Sequence, residues 1–183
     1  LIARGRFSEA FRLVRERNPL PAACGRICTH PCETKCRRNS TDAPIAIAWL
    51  KRVLGDNFSE EIRKTTTEKY PERIAIIGAG PAGLAAADRL ARAGVSADVF
   101  DRHEEIGGLL TFGIPPFKLE KQVIATRRAV LEAMGVRFHL GVEIGRDRIR
   151  GGVLDHLFDG DDLGNDLIGV RNDGSLDGLL GHG

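Results

Sequence analysis

No stretch of the 183-residue sequence is apolar for long enough to make a membrane helix, which needs roughly 18 residues. Neither sign of charge is in excess: 27 lysines and arginines face 25 aspartates and glutamates, and the resulting +2 is too small to draw in nucleic acid or an anionic membrane. The start carries no signal-peptide pattern. It opens on Leu1 rather than methionine, so the natural N-terminus is expected further upstream. Cysteine is absent except in one place, since all four fall between Cys24 and Cys36. Disulfide frameworks staple distant loops of secreted chains, whereas four thiols within thirteen residues suggest a metal or cluster in a cytoplasmic protein. There is no Ser–His–Asp arrangement and no defensible carboxylate pair. None of His30, His103, His139, His156 and His182 stands beside a nucleophile. His30 and His103 are read as surface positions, and Trp49 as core.

What is present divides into four segments. Residues 1–57 read as helical around a cysteine loop. Ser8 is placed to cap a helix from Glu9 to Arg17 that buries Phe7, Phe11 and Val14, and Asn18-Pro19 ends it. Pro44 suits the first turn of a second helix with Ile45, Ala48, Trp49 and Val53 as its buried stripe. Residues 58–71 are polar and read as a linker. Residues 72–150 alternate strand and helix, which implies a parallel sheet. Strands are expected at Arg73–Ile77, Val95–Phe100 and Val136–Leu140, with a helix closed by Gly94 and another over residues 119–134. Residues 151–183 hold nine glycines and seven aspartates without a regular nine-residue period, and no secondary structure is expected there. An aberrant C-terminus is the reading of this tail.

The first strand runs into Gly78-Ala79-Gly80-Pro81-Ala82-Gly83, and a helix follows at once. A GxGxxG in this setting is a dinucleotide fingerprint. Gly78 allows the tight turn, Gly80 lets a pyrophosphate approach the backbone, and Gly83 lets helix and strand pack closely. The helix N-terminus offers N–H groups and partial positive charge to phosphates. Asp101, 23 residues after Gly78, is placed to accept hydrogen bonds from the adenosine ribose. The motif alone does not separate FAD from NAD.

The cysteines read Cys24-x3-Cys28-x3-Cys32-x3-Cys36, with Pro31 breaking any continuous helix. Thiolates serve iron–sulfur clusters and zinc alike. Zinc sites favour separated cysteine pairs, so the even spacing favours a cluster. Arg26, Arg37 and Arg38 are candidates to offset cluster charge, or to form a solvated basic edge.

Several stretches carry a family resemblance. Ile76–Gly83, Asp101-Arg102, Ile106-Gly107-Gly108-Leu109-Leu110 and Thr111–Glu120 look like the FAD half of glutamate synthase small (beta) subunits. So do Met134-Gly135-Val136, Phe138-His139-Leu140 and Glu143–Asp147. Asn18-Pro19-Leu20-Pro21, Cys24–Cys28 and Pro31-Cys32-Glu33 resemble the cluster domain of those subunits and of dihydropyrimidine dehydrogenase. The resemblance spans residues 1–150. It implies an α + α/β chain, in which a small helical 4Fe-4S domain (1–57) precedes a Rossmann-like FAD-binding half-domain with a parallel sheet (72–150). It places the flavin against Gly107, Gly108 and Leu109. It makes Cys28, Cys32 and Cys36 ligands, with Cys24 added where some relatives place a glutamine at the position of Lys51. A further cysteine group would lie upstream, and NADPH or NADH would bind outside this fragment, which holds no second glycine loop. The implied function is an electron-transfer oxidoreductase subunit that passes electrons from NAD(P)H through FAD to 4Fe-4S clusters and on to the glutamate synthase large subunit. Two alternatives stay open: an electron-input subunit of a formate dehydrogenase or hydrogenase, and a non-enzymatic zinc-binding adaptor.

Overall fold

The computed structural model describes residues 1–58, 70–71 and 73–144, with the backbone of two short strands at 168–170 and 176–178. The chain falls into two compact units, Leu1–Lys64 with Ile114–Val130 and Thr65–Gly113 with Leu131–Gly183.

The first unit is helical: α1 (Phe7–Arg15), α2 (Pro21–Ile27), α3 (Pro31–Thr34) and α4 (Ile47–Phe58), with 3-10 turns at Ile2–Arg4 and Arg37–Ser40. Pro21 and Pro31 each open a helix, where a missing N–H costs nothing. Helix α1 starts before the expected Ser8 cap. Arg6 is its N-cap without a side-chain cap bond, and the Arg6 guanidinium instead reaches forward to Glu9 across one turn. The helix ends at Arg15, and Asn18 then closes a turn by accepting the Leu20 N–H at 3.0 Å. Phe11 and Leu54 form the core of this unit, ringed by Ile2, Phe7, Val14 and Phe58. The rings of Phe7 and Phe58 stack at 5.6 Å.

Helix α4 buries Ala48 as expected, but not the rest of its expected stripe. Leu54 and Gly55 lie inside with it, whereas Trp49 and Val53 are exposed, Trp49 at 63%, as is Ile45 just before the helix. The reason is its contact with α2. A Cβ on Gly55 would meet the Ala22 backbone nitrogen at 2.5 Å, and one on Gly25 would meet the Arg52 Cα at 2.7 Å. The two helices therefore approach backbone to backbone, and that contact decides which way α4 is rotated. Trp49 is left outside with the Arg52 guanidinium 5.4 Å from its ring centroid.

The second unit holds β1 (Arg73–Ile77), α5 (Pro81–Ala93), β2 (Ser96–Asp101), α6 (Leu109–Phe112) and β3 (Arg137–Leu140). Its sheet is parallel in the order β1-β2-β3, with Ile76 opposite Val99 and Val99 opposite Phe138. Gly94 ends α5 in the left-handed region, with its N–H bonded to the Ala91 and Leu90 carbonyls. Ile76, Leu84, Ala87, Val99 and Leu131 are buried here. Asp98 is also buried, and its carboxylate is satisfied by Arg73 at 2.6 Å, by His139 at 2.8 Å and by Arg137. Helix α7 (Lys121–Ala133) is continuous across the division between the units. Within the tail, where no secondary structure was expected, β4 (Ile168–Val170) pairs antiparallel with β5 (Leu176–Gly178). The polar linker over 59–69 and the stretch from Gly145 through Asp147 lie outside the described residues.

The burial pattern of α4 gives a direct test. Leu54→Ala should cost about 2–5 kcal/mol in urea unfolding. Trp49→Ala should stay within about 1 kcal/mol, since only an exposed cation–π contact is lost. A larger loss for Trp49→Ala than for Leu54→Ala would contradict this packing.

Candidate functional site

The glycine loop closes as its residue types require. Strand β1 ends at Ile77, and the Gly78 N–H donates to the Phe100 carbonyl at 2.7 Å, so the loop starts locked to β2. Gly83 has no room for a side chain, because a Cβ there would lie 1.8 Å from the Gly78 carbonyl oxygen and 3.3 Å from Ile76 Cγ2. Pro81 occupies the first position of α5, and Gly80 precedes it with extended backbone. Pro81 and Ala82 are exposed at this helix N-terminus.

Gly107 and Gly108 are brought against the same loop. The Gly107 N–H donates to the Ala79 carbonyl at 2.7 Å. Gly108 has φ +52°, and a Cβ there would stand 2.9 Å from Gly80 Cα, so this approach demands glycine twice over. Leu109 follows with its side chain 75% exposed.

Asp101 sits at the end of β2 with its side chain almost enclosed. Its Oδ2 accepts the Ala79 N–H at 2.6 Å. Its Oδ1 accepts the His103 N–H at 2.8 Å and pairs with His103 Nδ1 at 2.9 Å. Burial works against ionisation. The hydrogen bonds from the His103 and Ala79 N–H groups, with the His103 ring, outweigh it and hold the Asp101 carboxyl below the usual range. His103 keeps the partly exposed position expected of it, with its side chain 42% exposed, but it is also engaged at the site. Its ring leans on Phe112 at 4.6 Å and lines a cavity of about 380 Å³ with Gly78, Gly80, Asp101, Arg102 and Gly108. The signal for it was its place two residues beyond the acid at the strand end. A cavity of this polarity, with glycine walls, the Asp101 carboxylate at the strand end and Glu143 also on its lining, suits the adenosine and phosphate part of a dinucleotide.

In the cysteine module, Cys24 lies on α2, Cys28 is its C-cap, Cys32 lies on α3 and Cys36 precedes the 3-10 turn at Arg37. All four thiols are free, with Cys32 exposed. Cys28 Sγ accepts the His30 N–H at 3.3 Å. His30 has φ +42°, and its ring lies 3.5 Å from Glu33. Glu33 Oε1 accepts the Ala48 N–H at 2.8 Å and so ties the loop to α4. Burial raises the Cys24 thiol pKa; the Lys51 ammonium and Asn18 lower it in part, and Cys28 adds to the rise. The donor chemistry suits a thiolate-bound cluster, but among the described residues no three Cys, His, Asp or Glu side chains converge on one point. Of the candidate arginines, Arg38 acts electrostatically on Cys36. Arg26 is committed to Glu120 at 2.5 Å and Asp56 at 2.6 Å, and Arg38 pairs with Asp42. A mainly apolar cavity of about 430 Å³ in the same unit, lined by residues such as Phe11, Arg26, Glu120 and Val130, takes in none of the cysteines.

The depressed Asp101 pKa has a signed consequence. A carboxylate held below its usual range lends stability that is complete above about pH 4 and lost as pH falls through the folded value. Lowering the pH from 7 to 3 should therefore reduce the unfolding midpoint more in the parent chain than in Asp101→Asn. Equal acid sensitivity would show that the carboxylate does not hold the loop.

Comparison with known proteins agrees with this geometry. Residues 1–63 match the family model described as dihydropyrimidine dehydrogenase domain II, 4Fe-4S cluster. Residues 76–118 match that of an NAD(P)-binding Rossmann-like domain. The glutamate synthase [NADPH] small chain of Escherichia coli (strain K12) is 47% identical over 148 residues, 78% of this chain and 31% of its own length. The protein UacF of the same organism is 48% identical over 152 residues, 80% of this chain and 24% of its own. The NADP(+)-dependent formate dehydrogenase subunit beta of Moorella thermoacetica is 34% identical over 167 residues, 78% of this chain and 24% of its own. The chain thus spans about a quarter to a third of the curated relatives it matches. It is a homologue of the glutamate synthase small chains over about four fifths of its own length, in which a 4Fe-4S domain of the dihydropyrimidine dehydrogenase type precedes a Rossmann-like dinucleotide-binding domain.

Proposed function

We propose that this chain is part of an electron-transfer oxidoreductase subunit that takes electrons from NADPH, through FAD, to 4Fe-4S clusters and then to a partner subunit, as a glutamate synthase small chain would. The observation that carries the reading is the closure of Gly78–Gly83, Asp101 and Gly107-Gly108 around one cavity, in a chain whose first 63 residues match a 4Fe-4S domain.

In this reading the Gly78–Gly83 loop holds the FAD pyrophosphate, with Gly80, Pro81 and Ala82 at the N-terminus of α5. Asp101 receives the adenosine ribose, while Gly107, Gly108 and Leu109 lie along the flavin side. Bound FAD supplies the exchange between two-electron hydride chemistry and single electrons. The chain's own residues bind and orient it. Cys24, Cys28, Cys32 and Cys36, on α2, on α3 and at the start of the following turn, are the thiolate supply for a cluster. NADPH is the electron source favoured by the likeness to the NADPH glutamate synthase small chain of Escherichia coli. The glutamate synthase large subunit is the proposed acceptor. Cytoplasmic residence suits four free thiols, and among the described residues no helix is long and apolar enough to cross a membrane.

A second reading has its own support in the likeness to a formate dehydrogenase subunit. There the same cofactor chain would serve a different partner. Association with a large amidotransferase-type subunit would favour glutamate synthase, and association with a formate-oxidising subunit would favour the other.

The test is anaerobic purification with flavin, iron, sulfide and zinc quantified. Flavin together with iron and sulfide, and an absorbance shoulder bleached by dithionite, is the expected result. Zinc with neither iron nor flavin would overturn the reading in favour of a zinc-binding adaptor. Cys32→Ser should lower the iron content, and full retention would remove Cys32 from the ligands. Asp101→Ala should weaken FAD binding by about 1.5–3 kcal/mol, the worth of a hydrogen bond to a charged group.

A further inference from the structure

We infer that His103 is a positioning residue for the adenosine ribose: by orienting the Asp101 carboxylate it makes the site select ribose over 2′-deoxyribose in the bound nucleotide. This deepens the dinucleotide reading above and rests on it.

An ionised carboxylate offers about four acceptor positions on its two oxygens. Three are already engaged. The Ala79 N–H takes one on Oδ2, and His103 alone takes two on Oδ1, through its backbone N–H at 2.8 Å and its ring Nδ1 at 2.9 Å. Since the carboxylate is an acceptor only, the geometry assigns the ring proton to Nδ1. About one acceptor position is then left for a ribose hydroxyl, and the three bonds in place determine where it points.

The ring bond is not there to satisfy a polar group stranded from water, because the His103 side chain is 42% exposed. What it adds is orientation. The ring is itself held by Phe112, 4.6 Å away and tilted by 31°. Both His103 and Asp101 line the cavity that the glycine loop closes. The backbone N–H of His103 remains in any substitution at this position. A His103 variant therefore keeps two of the three bonds that hold the carboxylate, and with them the anchorage of Ala79.

The experiment is calorimetric titration of the full chain with ADP and with 2′-deoxy-ADP, far-ultraviolet circular dichroism being matched between variants. His103→Ala should weaken ADP binding about fivefold to tenfold, the effect of one ordinary hydrogen bond, and leave 2′-deoxy-ADP nearly unchanged. His103→Asn, whose amide can donate to the same oxygen, should recover most of the loss. In an Asp101→Asn background, His103→Ala should have no further effect, because the two act as one unit. Unchanged ADP affinity in His103→Ala would overturn the inference, and so would an equal loss for both nucleotides, which marks a merely structural role. A parent chain that binds neither ADP nor FAD would remove the dinucleotide reading itself, a result distinguishable from failure of the His103 variants alone.

Discussion

The Asp101 carboxylate joins three parts of the second unit that have little else in common. It stands at the end of β2, grips the glycine loop through Ala79 and is gripped in turn by both donors of His103. A glycine-rich loop has high conformational entropy in the free chain, and its lack of side chains leaves little apolar surface to hold it. It stays in one shape because charge-assisted and backbone hydrogen bonds fix it. The loop is bonded to β2 at Gly78, to Asp101 at Ala79 N–H, and to the Gly107 segment at the Ala79 carbonyl. Charge-assisted bonds of this kind are about twice as strong as neutral ones. Loop, acid and Gly107-Gly108 therefore form one arrangement around a single cavity, preorganised before a nucleotide arrives.

The helical unit depends on a different constraint. Gly25 and Gly55 remove the side chains from the crossing of α2 with α4. The resulting contact places Cys24 within reach of the Lys51 charge and sets the rotation of α4. The Glu33 carboxylate then ties the cysteine loop to the start of α4. The cysteines are thus carried on a scaffold fixed at both ends, with Cys24 and Cys28 near enough to act on each other, although among the described residues no three metal-ligating side chains converge. Clusters and structural metals commonly complete their own sites on binding.

The short helices α2, α3 and α6 and the β4–β5 pair were not legible in the sequence, whereas the succession β1, α5, β2, α7, β3, the glycine loop with its acid, the Pro31 break among the cysteines and the Gly94 stop were. Each depends on local chemistry: a two- or near-four-residue period, a missing Cβ or a missing N–H. The buried face of α4 was not legible, because two faces of that helix carry apolar residues and only the crossing with α2 chooses between them. Trp49 and Val53 follow helical spacing with Ala48, but a backbone contact at Gly55 turned them outward and Leu54 inward. The commitment of Arg26 to Asp56 and Glu120 was equally hidden, since the partners lie 30 and 94 residues away. The same holds for His103. Its neighbour Asp101 was visible as the acid at the strand end, but the pairing of the two and the support of Phe112 exist only once strand, loop and α6 have folded together. The sequence by itself determined which residue types could bind phosphate, ribose and thiophilic metal, because those are properties of single side chains and of short backbone segments. Only the tertiary structure decided which of them share a cavity, because that depends on contacts whose geometry no local segment encodes.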